Sequence, residues 1–242
     1  MACQVHNNKN TMISDLNYSN YAKRFPLSQE DIIDHLIAKY HSGISVKQAS
    51  FIKHNLTLIL EATFKLSRKM SFSKMTVRDL QKETGISMGS LYNCFGSKER
   101  LESMIIEGVS FIAHSSSQRG ITLDLDHEQR LILTIRIYIY LGRIFKPWYY
   151  FIAMEFRTMT EENFERVVDV RLSFLNDLAV YMKGNLAISS HVSTIIQDFN
   201  IRDWKYAHVD IDDFADHCVR LAKILNTNSV ELGDLSIDNS GF

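Results

Sequence analysis

The scarcity of helix breakers constrains the fold of this chain more than any other feature of its sequence. Proline occurs only twice in 242 residues, at Pro26 and Pro147, and glycine ten times. Both residue types interrupt helices, proline because it lacks a backbone donor and glycine because ordering it costs more entropy. Since 45% of the residues are apolar and can supply a core, the sequence predicts a mostly helical globular protein.

Apolar residues recur with helical spacing along most of the chain. One stretch is ambiguous, because TIRIYIYL at residues 134–141 alternates in the way a strand does. We favour a helix there, since the apolar run extends from His127 to Phe145 and no second strand is evident to pair with it. The predicted fold class is therefore all-α.

The cysteines and the apolar runs exclude several protein classes. Cys3, Cys94 and Cys218 are too few and too scattered for a disulfide framework or a C-x-x-C metal site. Residues 1–10 contain no apolar run of the kind found in signal peptides. The most apolar stretch, residues 131–145, is too short to span a bilayer and contains two arginines. We expect a soluble, cytoplasmic protein with no membrane partner.

The charge is distributed unevenly along the chain, although the formal net charge is only −1. Residues 1–119 carry a net charge of +5 and residues 120–242 a net charge of −6. A basic half joined to an acidic half indicates that the first half is the one that meets a polyanion.

The sequence GISMGS at residues 85–90 permits two opposed interpretations. In the first, Gly85 to Gly89 match the G-x-S-x-G motif of serine hydrolases, with Ser87 as the nucleophile. That motif needs a buried strand immediately before it, whereas the preceding TVRDLQKET is charged and has helical spacing. A motif without its structural context is weak. We therefore disfavour the hydrolase and predict that the protein is not an enzyme.

In the second interpretation, residues 76–95 form a helix-turn-helix that reads DNA. Two short helices joined by a tight turn need apolar inner faces and a small residue at the bend, and the residues that supply these are Leu80, Gly85, Ile86, Leu91 and Phe95. Ser87 then caps the second helix. The exposed face of that helix comprises Met88, Gly89, Ser90, Tyr92 and Asn93. These compact, uncharged side chains can approach base edges and phosphates.

Spaced motifs across residues 56–101 carry a resemblance to a known family. They are Thr-Val-Arg-Asp-Leu at 76–80, Gly-Ile-Ser at 85–87, Ser-Leu-Tyr-x-x-Phe at 90–95 and Ser-Lys-Glu-x-Leu at 97–101. Together they resemble the N-terminal domain of the tetracycline-repressor (TetR) family. The resemblance implies a three-helix helix-turn-helix DNA-binding domain, followed by a helical domain that binds a small-molecule effector and forms a homodimer. It implies no other cofactor.

The resemblance also implies roles for individual residues. Ser87, Met88, Gly89, Ser90, Tyr92 and Asn93 would face the DNA groove, while Thr76 and Lys98 would each hold a phosphate at the start of a helix. The physical chemistry agrees for Thr76 and Lys98, because helix N-termini present free N–H groups that suit an anion. Simple helix capping is the alternative role for Thr76 and Ser87, and core packing is the alternative for Tyr92.

The predicted organisation has four parts. A flexible arm covers residues 1–25 and an additional helix lies within 26–44. The TetR-like DNA-binding domain covers 45–113, and the ligand-binding and dimerisation domain covers 114–242. The arm carries a small positive charge that would suit a DNA groove, but we favour a disordered leader followed by one extra packing helix. The dimer interface is expected on the helices at 161–183 and 212–225.

The back half of the chain contains an aromatic-rich segment that could bind the effector. A largely apolar pocket with a few polar groups is the common form of a small-molecule site. The candidates are Tyr138, Trp148, Tyr149, Phe151, Glu155 and Arg157. The alternative is that the aromatic residues form the core. Asp213 and His217 share a helix face, but no second pair accompanies them, so we assign no metal.

These observations predict a DNA-binding transcriptional regulator, a ligand-responsive repressor that binds a palindromic operator as a dimer. The alternative is a helical small-molecule sensor or interaction protein that does not bind DNA.

Overall fold

The computed structural model of the protein describes residues 15–121 and 125–228. Over these residues the fold is all-α, without a strand. The eleven α-helices in this part of the chain are α1 (Tyr18–Arg24), α2 (Gln29–Tyr40), α3 (Val46–Ser67), α4 (Val77–Thr84), α5 (Met88–Phe95), α6 (Lys98–Ile121), α7 (His127–Ile144), α8 (Lys146–Glu155), α9 (Glu161–Tyr181), α10 (Leu186–Ile201) and α11 (Ile211–Asn228). Two short 3-10 helices cover Phe156–Thr158 and Asp203–Tyr206.

Local side-chain caps set where several helices begin. Ser28, Ser45, Thr76 and Asp126 each accept a hydrogen bond from the backbone N–H three residues later, in a reciprocal capping box. Such a cap satisfies donors that the first turn of a helix leaves free. Because partner and cap lie three residues apart, such helix starts can be recognised in the sequence.

The helices form two compact units, and neither is continuous in sequence. The helix-turn-helix unit comprises residues 27–112 and 147–170. The C-terminal unit comprises, within the described chain, residues 15–26, 113–146 and 171–228. Residues 147–170 follow the predicted domain boundary near 113 and yet belong to the helix-turn-helix unit.

The core of the helix-turn-helix unit is built around α3, which packs against α2, α4 and α5. Aromatic side chains of α8 complete it, since the Trp148 ring lies 5.0 Å from the Phe64 ring and the Phe151 ring lies 5.2 Å from the Phe72 ring. Trp148 and Phe151 are 2% and 0% exposed. A Cβ atom at Gly108 would lie 2.2 Å from Cζ3 of Trp148, so only glycine allows α6 to accept this ring.

The C-terminal unit has α7 at its centre, packed against both α10 and α11. A helix covered on several sides needs apolar residues around much of its circumference. The buried positions of α7 are Leu131, Leu133, Ile135, Ile137, Ile139, Tyr140, Leu141 and Gly142. This wide burial explains the strand-like alternation at 134–141, and the predicted helix is confirmed.

Residues 15–25 differ from the flexible arm predicted for 1–25. They include α1 and bury Leu16, Tyr21 and Phe25 in the C-terminal unit. Arg136 donates to the carbonyl of Leu16, and the Tyr21 ring lies 5.4 Å from the Tyr140 ring. The segment is mostly polar, and its three buried apolar residues are spread along it. The prediction of a flexible arm was therefore wrong for residues 15–25. Residues 1–14 of the predicted arm lie outside the described residues.

None of the helices that the structure describes combines the length and the apolar character needed to cross a membrane.

Candidate nucleic-acid interface

Helices α4 and α5 are joined by a tight turn of three residues, 85–87. Gly85 ends α4 with φ 72° and ψ 2°, a left-handed conformation that glycine adopts without steric cost. Leu80 on α4 and Leu91 and Phe95 on α5 are at most 2% exposed and hold the two helices together. The geometry is that of a helix-turn-helix.

Ser87 is the N-cap of α5. Its Oγ accepts a hydrogen bond from the Ser90 backbone N–H at 3.3 Å, and its hydroxyl donates to the Ser90 Oγ at 3.0 Å. A nucleophile elbow requires a strand before the serine, whereas α4 precedes Ser87. The local geometry therefore supports the capping role and not the hydrolase interpretation.

The outward face of α5 carries the residues predicted to meet the DNA groove. Gly89, Tyr92 and Asn93 are exposed, while Met88 and Ser90 are half-buried. Tyr92 is 46% exposed, and its ring centroid lies 6.1 Å from that of Phe95. Core packing is therefore not the main role of Tyr92. The face is uncharged and free to approach a surface.

Thr76 is exposed at the start of α4 and is already engaged in a cap. Its hydroxyl donates to Oδ2 of Asp79 at 2.6 Å, and its backbone N–H donates to the same oxygen at 2.9 Å. These hydrogen bonds lower the pKa of Asp79 below its usual value. The cap places a carboxylate at this helix N-terminus, so a phosphate that reaches Thr76 has to approach beside a negative charge.

Lys98 is the first residue of α6, and its ammonium group has more donors than its one hydrogen bond uses. Its Nζ donates to the carbonyl of Ser73 at 2.8 Å and lies 5.0 Å from the centre of the Phe72 ring. An ammonium group has three donors. One is used by Ser73, and the others are available to an anion near the N-terminus of α6.

Further exposed cations that the sequence analysis did not single out lie on or just before α4, the first helix of the motif. Lys74 precedes α4, and Arg78 and Lys82 lie on it, all three exposed. The net positive charge of the first half of the chain was the one signal for them, and it does not point to individual residues.

The six candidate ligand-binding residues are not gathered in one unit. Tyr138 belongs to the C-terminal unit, where its ring stacks on Phe174 at 3.5 Å and its hydroxyl donates to Asp177 at 3.3 Å. The other five belong to the helix-turn-helix unit. Of these, Trp148, Phe151 and Glu155 are buried and Arg157 is exposed.

Tyr149 differs from the other aromatic candidates. Its side chain as a whole is half-buried, but its hydroxyl oxygen is buried and has no hydrogen-bond partner among the described residues. Burial of that hydroxyl raises its pKa. A buried hydroxyl without a partner is rare in native proteins. Tyr149 is therefore the candidate residue whose hydroxyl is best placed to bind a polar group of a ligand.

Within the part of the chain that the structure describes, no group of three or more His, Cys, Asp or Glu side chains is placed to hold a metal ion.

A comparison with protein families agrees with the motif analysis. Residues 59–101 match the family model described as bacterial regulatory proteins of the tetR family. This match covers α4, α5 and their turn, together with the C-terminal half of α3 and the start of α6. The resemblance to the TetR family is confirmed. No curated protein matches the chain in sequence.

Solved structures share the fold over most of the chain. A bacterial regulatory protein of the tetR family from Rhodococcus RHA1 is 18% identical with a TM-score of 0.60, covering 69% of this chain and 94% of its own. The TetR-family transcriptional regulator PfmR from Thermus thermophilus is also 18% identical, with a TM-score of 0.52 and coverages of 69% and 96%.

The superantigen pfit has a similar fold at 14% identity and a TM-score of 0.56, covering 77% of this chain and 95% of its own. A fold shared at such identities does not determine function. The inference of function therefore rests on the helix-turn-helix.

Proposed function

We propose that this protein, whose residues 59–101 match the family model of bacterial regulatory proteins of the tetR family, is a ligand-responsive transcriptional repressor that binds a palindromic operator as a homodimer. The observation that carries the proposal is the exposed, uncharged face of α5, the recognition helix. Met88 and Asn93 have side chains that can reach base edges, Gly89 lets the helix approach closely, and Tyr92 and Ser90 can donate to phosphates.

Dimerisation is proposed because a single helix-turn-helix is small. A single recognition helix contacts few bases, so two heads related by a two-fold axis are needed for a specific site. The helices at 161–183 and 212–225, now seen as α9 and α11, remain the candidates for the interface. Large apolar side chains that they expose are Phe164, Leu172, Val180 and Ile224, at 41–65% exposure.

The response to an effector is proposed to work by linkage. An effector that binds more tightly to the form of the dimer that cannot engage DNA lowers the affinity for the operator. Candidates for its site remain Tyr138, Trp148, Tyr149, Phe151, Glu155 and Arg157. Among them Tyr149 has the strongest support, because its buried hydroxyl lacks a partner among the described residues.

DNA binding is tested by fluorescence anisotropy with a random-sequence duplex at several salt concentrations. We expect affinity to fall steeply with salt, since phosphate contacts release counterions. The double variant Tyr92→Ala, Lys98→Ala removes a groove contact and a phosphate contact, so we expect binding about tenfold or more weaker and a salt slope smaller by about 1. Absence of binding by the wild type at low salt would instead favour the sensor without DNA binding.

Gly89→Ala separates a functional need for glycine from a structural one. Gly89 has no positive φ, and a Cβ there would meet nothing within 4 Å. Since alanine is the better helix former, we expect the variant to be as stable as the wild type or more stable by about 0.5–1 kcal/mol. On the proposed interface the added methyl group lies between α5 and the DNA, so binding of the random duplex should weaken.

Thermal unfolding and the anisotropy titration together check this prediction. Unchanged DNA binding by a folded Gly89→Ala protein would show that this part of α5 does not approach DNA closely.

A further inference from the structure

Helix α2 lies outside residues 59–101, the segment that matches the family model. It is nevertheless an integral part of the helix-turn-helix unit. Ile32, Ile33, Leu36 and Ile37 are buried on one of its faces, and it packs against α3. The apolar area that these four residues bury makes α2 a stable element of the fold.

The residue after α2 makes a direct polar contact with the recognition helix. The His41 Nε2–H donates to the carbonyl oxygen of Cys94 at 2.7 Å. Cys94 is in the last turn of α5, where carbonyl groups have no partner within the helix. A side chain 53 positions earlier in the chain thus supplies a hydrogen bond that α5 cannot make for itself.

A second contact links the end of α2 to α6. Arg100, near the start of α6, donates from Nη2 to the carbonyl oxygen of Tyr40 at 2.6 Å. Its guanidinium also lies 5.4 Å from the centre of the Tyr40 ring, a distance at which cation–π attraction operates. Tyr40 is the last residue of α2, so the C-terminal ends of α2 and α5 are both satisfied by side chains from outside their own helix.

An ion pair and a histidine contact hold α2 in place against α6. Lys39 and His35 contact the two carboxylate oxygens of Glu107 at 2.6 and 2.8 Å. The His35 ring also stacks on Phe111 at 4.2 Å. Glu107 and Phe111 lie one turn apart on α6, so α2 is fixed to that helix along its second half and can act as a rigid support.

We propose that α2 positions the recognition helix for DNA binding, with His41 as the positioning residue. This inference rests on the proposed function. An isolated helix of eight residues has little stability of its own, so the orientation of α5 depends on what holds its two ends. The turn at 85–87 holds the first end. The hydrogen bond from His41 holds the second, and thereby sets where Tyr92 and Asn93 point.

His41 is a better test than Arg100, because replacing Arg100 would also remove a positive charge beside the DNA surface. His41→Leu keeps the bulk of the side chain and removes the donor. His41→Gln keeps a donor of similar reach. Lys53→Gln is the matched control, since it breaks the ion pairs that Lys53 makes with Asp34 and Glu30 without touching α5.

The full-length variants are compared with the wild type in two binding measurements and one measurement on the free protein. The binding probes are a duplex that the wild type selects from a randomised pool and an unselected random duplex. We expect His41→Leu to bind the selected duplex roughly threefold to tenfold more weakly, the effect of one lost hydrogen bond. Its affinity for the random duplex should fall less than its affinity for the selected duplex, because the phosphate contact proposed for Lys98 lies on α6 and remains. His41→Gln and Lys53→Gln should behave as the wild type.

Amide hydrogen exchange of the free protein tests the same idea without DNA. We expect faster exchange at residues 91–96 in His41→Leu, and not in His41→Gln or Lys53→Gln. A lower melting temperature of His41→Leu with unchanged exchange at 91–96 and unchanged affinity for the selected duplex would overturn the proposal, since His41 would then be merely structural.

The two proposals fail in different ways. A wild type that selects no duplex contradicts the proposed function, and the exchange measurement then decides alone whether His41 orders α5. A wild type that selects a duplex, together with a His41→Leu variant that matches it in both measurements, contradicts only the positioning role.

Discussion

Replacing Trp148 by alanine is expected to lower the free energy of unfolding by about 3–5 kcal/mol, the range for removing a buried tryptophan or phenylalanine. Trp148 is 2% exposed, lies 5.0 Å from the Phe64 ring and fills the space that Gly108 leaves on α6. Its removal leaves a cavity with little freedom to collapse, because helices line it on both sides. Equilibrium denaturation in urea at pH 7 measures the loss.

Tyr92→Ala provides the control for this prediction. Tyr92 is also aromatic and lies in the same unit, but it is 46% exposed, so its replacement should change stability by no more than about 0.5 kcal/mol. A Trp148→Ala protein with the stability of the wild type would contradict the core assignment. Trp148 would then be free to serve the effector, as the effector-binding interpretation of the aromatic segment requires.

Glu107→Gln is expected to lower the free energy of unfolding at pH 7 by about 1–3 kcal/mol, the range for a hydrogen bond to a charged group. The Glu107 side chain is 10% exposed and contacts Lys39, His35 and Arg166 at 2.6–2.8 Å. Burial opposes its ionisation, but the hydrogen bonds from Lys39 and His35 outweigh that effect and hold the pKa below its usual value.

The sign of the pH dependence follows from this lowered pKa. A carboxyl group with a depressed pKa in the folded state contributes stability above its unfolded pKa, about 4.3 for glutamate, and loses it as the pH falls further. The difference in stability between wild type and Glu107→Gln should therefore be largest at neutral pH and shrink below about pH 4.3. Denaturation curves at pH 7 and at pH 3.5 measure the two differences.

The more exposed pair of Lys65 and Glu83 is the control for the second prediction. Glu83→Gln should cost much less stability than Glu107→Gln, because solvent screens exposed ion pairs. A difference between wild type and Glu107→Gln that stays constant down to pH 3.5 would show that the charge of Glu107 is not what stabilises the fold.

Much of the fold follows from patterns that are local in the sequence. The caps at Ser28 and Thr76 act over three residues, and Gly85 ends α4 because its own backbone conformation allows it. Ser87 was predicted as the cap of the second helix of the motif at 76–95, and α5 begins directly after it and ends at Phe95. The outward side of α5 was also predictable, since burying Leu91 and Phe95 leaves Tyr92 and Asn93 facing outward.

Other parts of the site could not be read in this way. Thr76 already donates to the carboxylate of Asp79, and Lys98 already donates to the carbonyl of Ser73. The sequence did not show that these two predicted phosphate ligands have partners within the protein. The aromatic segment reads as one patch, but Tyr138 and Trp148 belong to different units. Sequence proximity does not determine which core an aromatic ring joins when a helix boundary, here between α7 and α8, intervenes.

The amino-acid sequence is sufficient for the helical class, for the helix-turn-helix and for the chemistry of the recognition face, because helix propensity, caps and periodicity act over one or two turns. The tertiary structure was needed to show that α1 packs in the C-terminal unit, that Lys39, Arg166 and His35 all contact Glu107 and that His41 holds the end of α5. Those contacts join residues tens of positions apart. They form only where packing brings distant segments of the chain together, and no local preference encodes them.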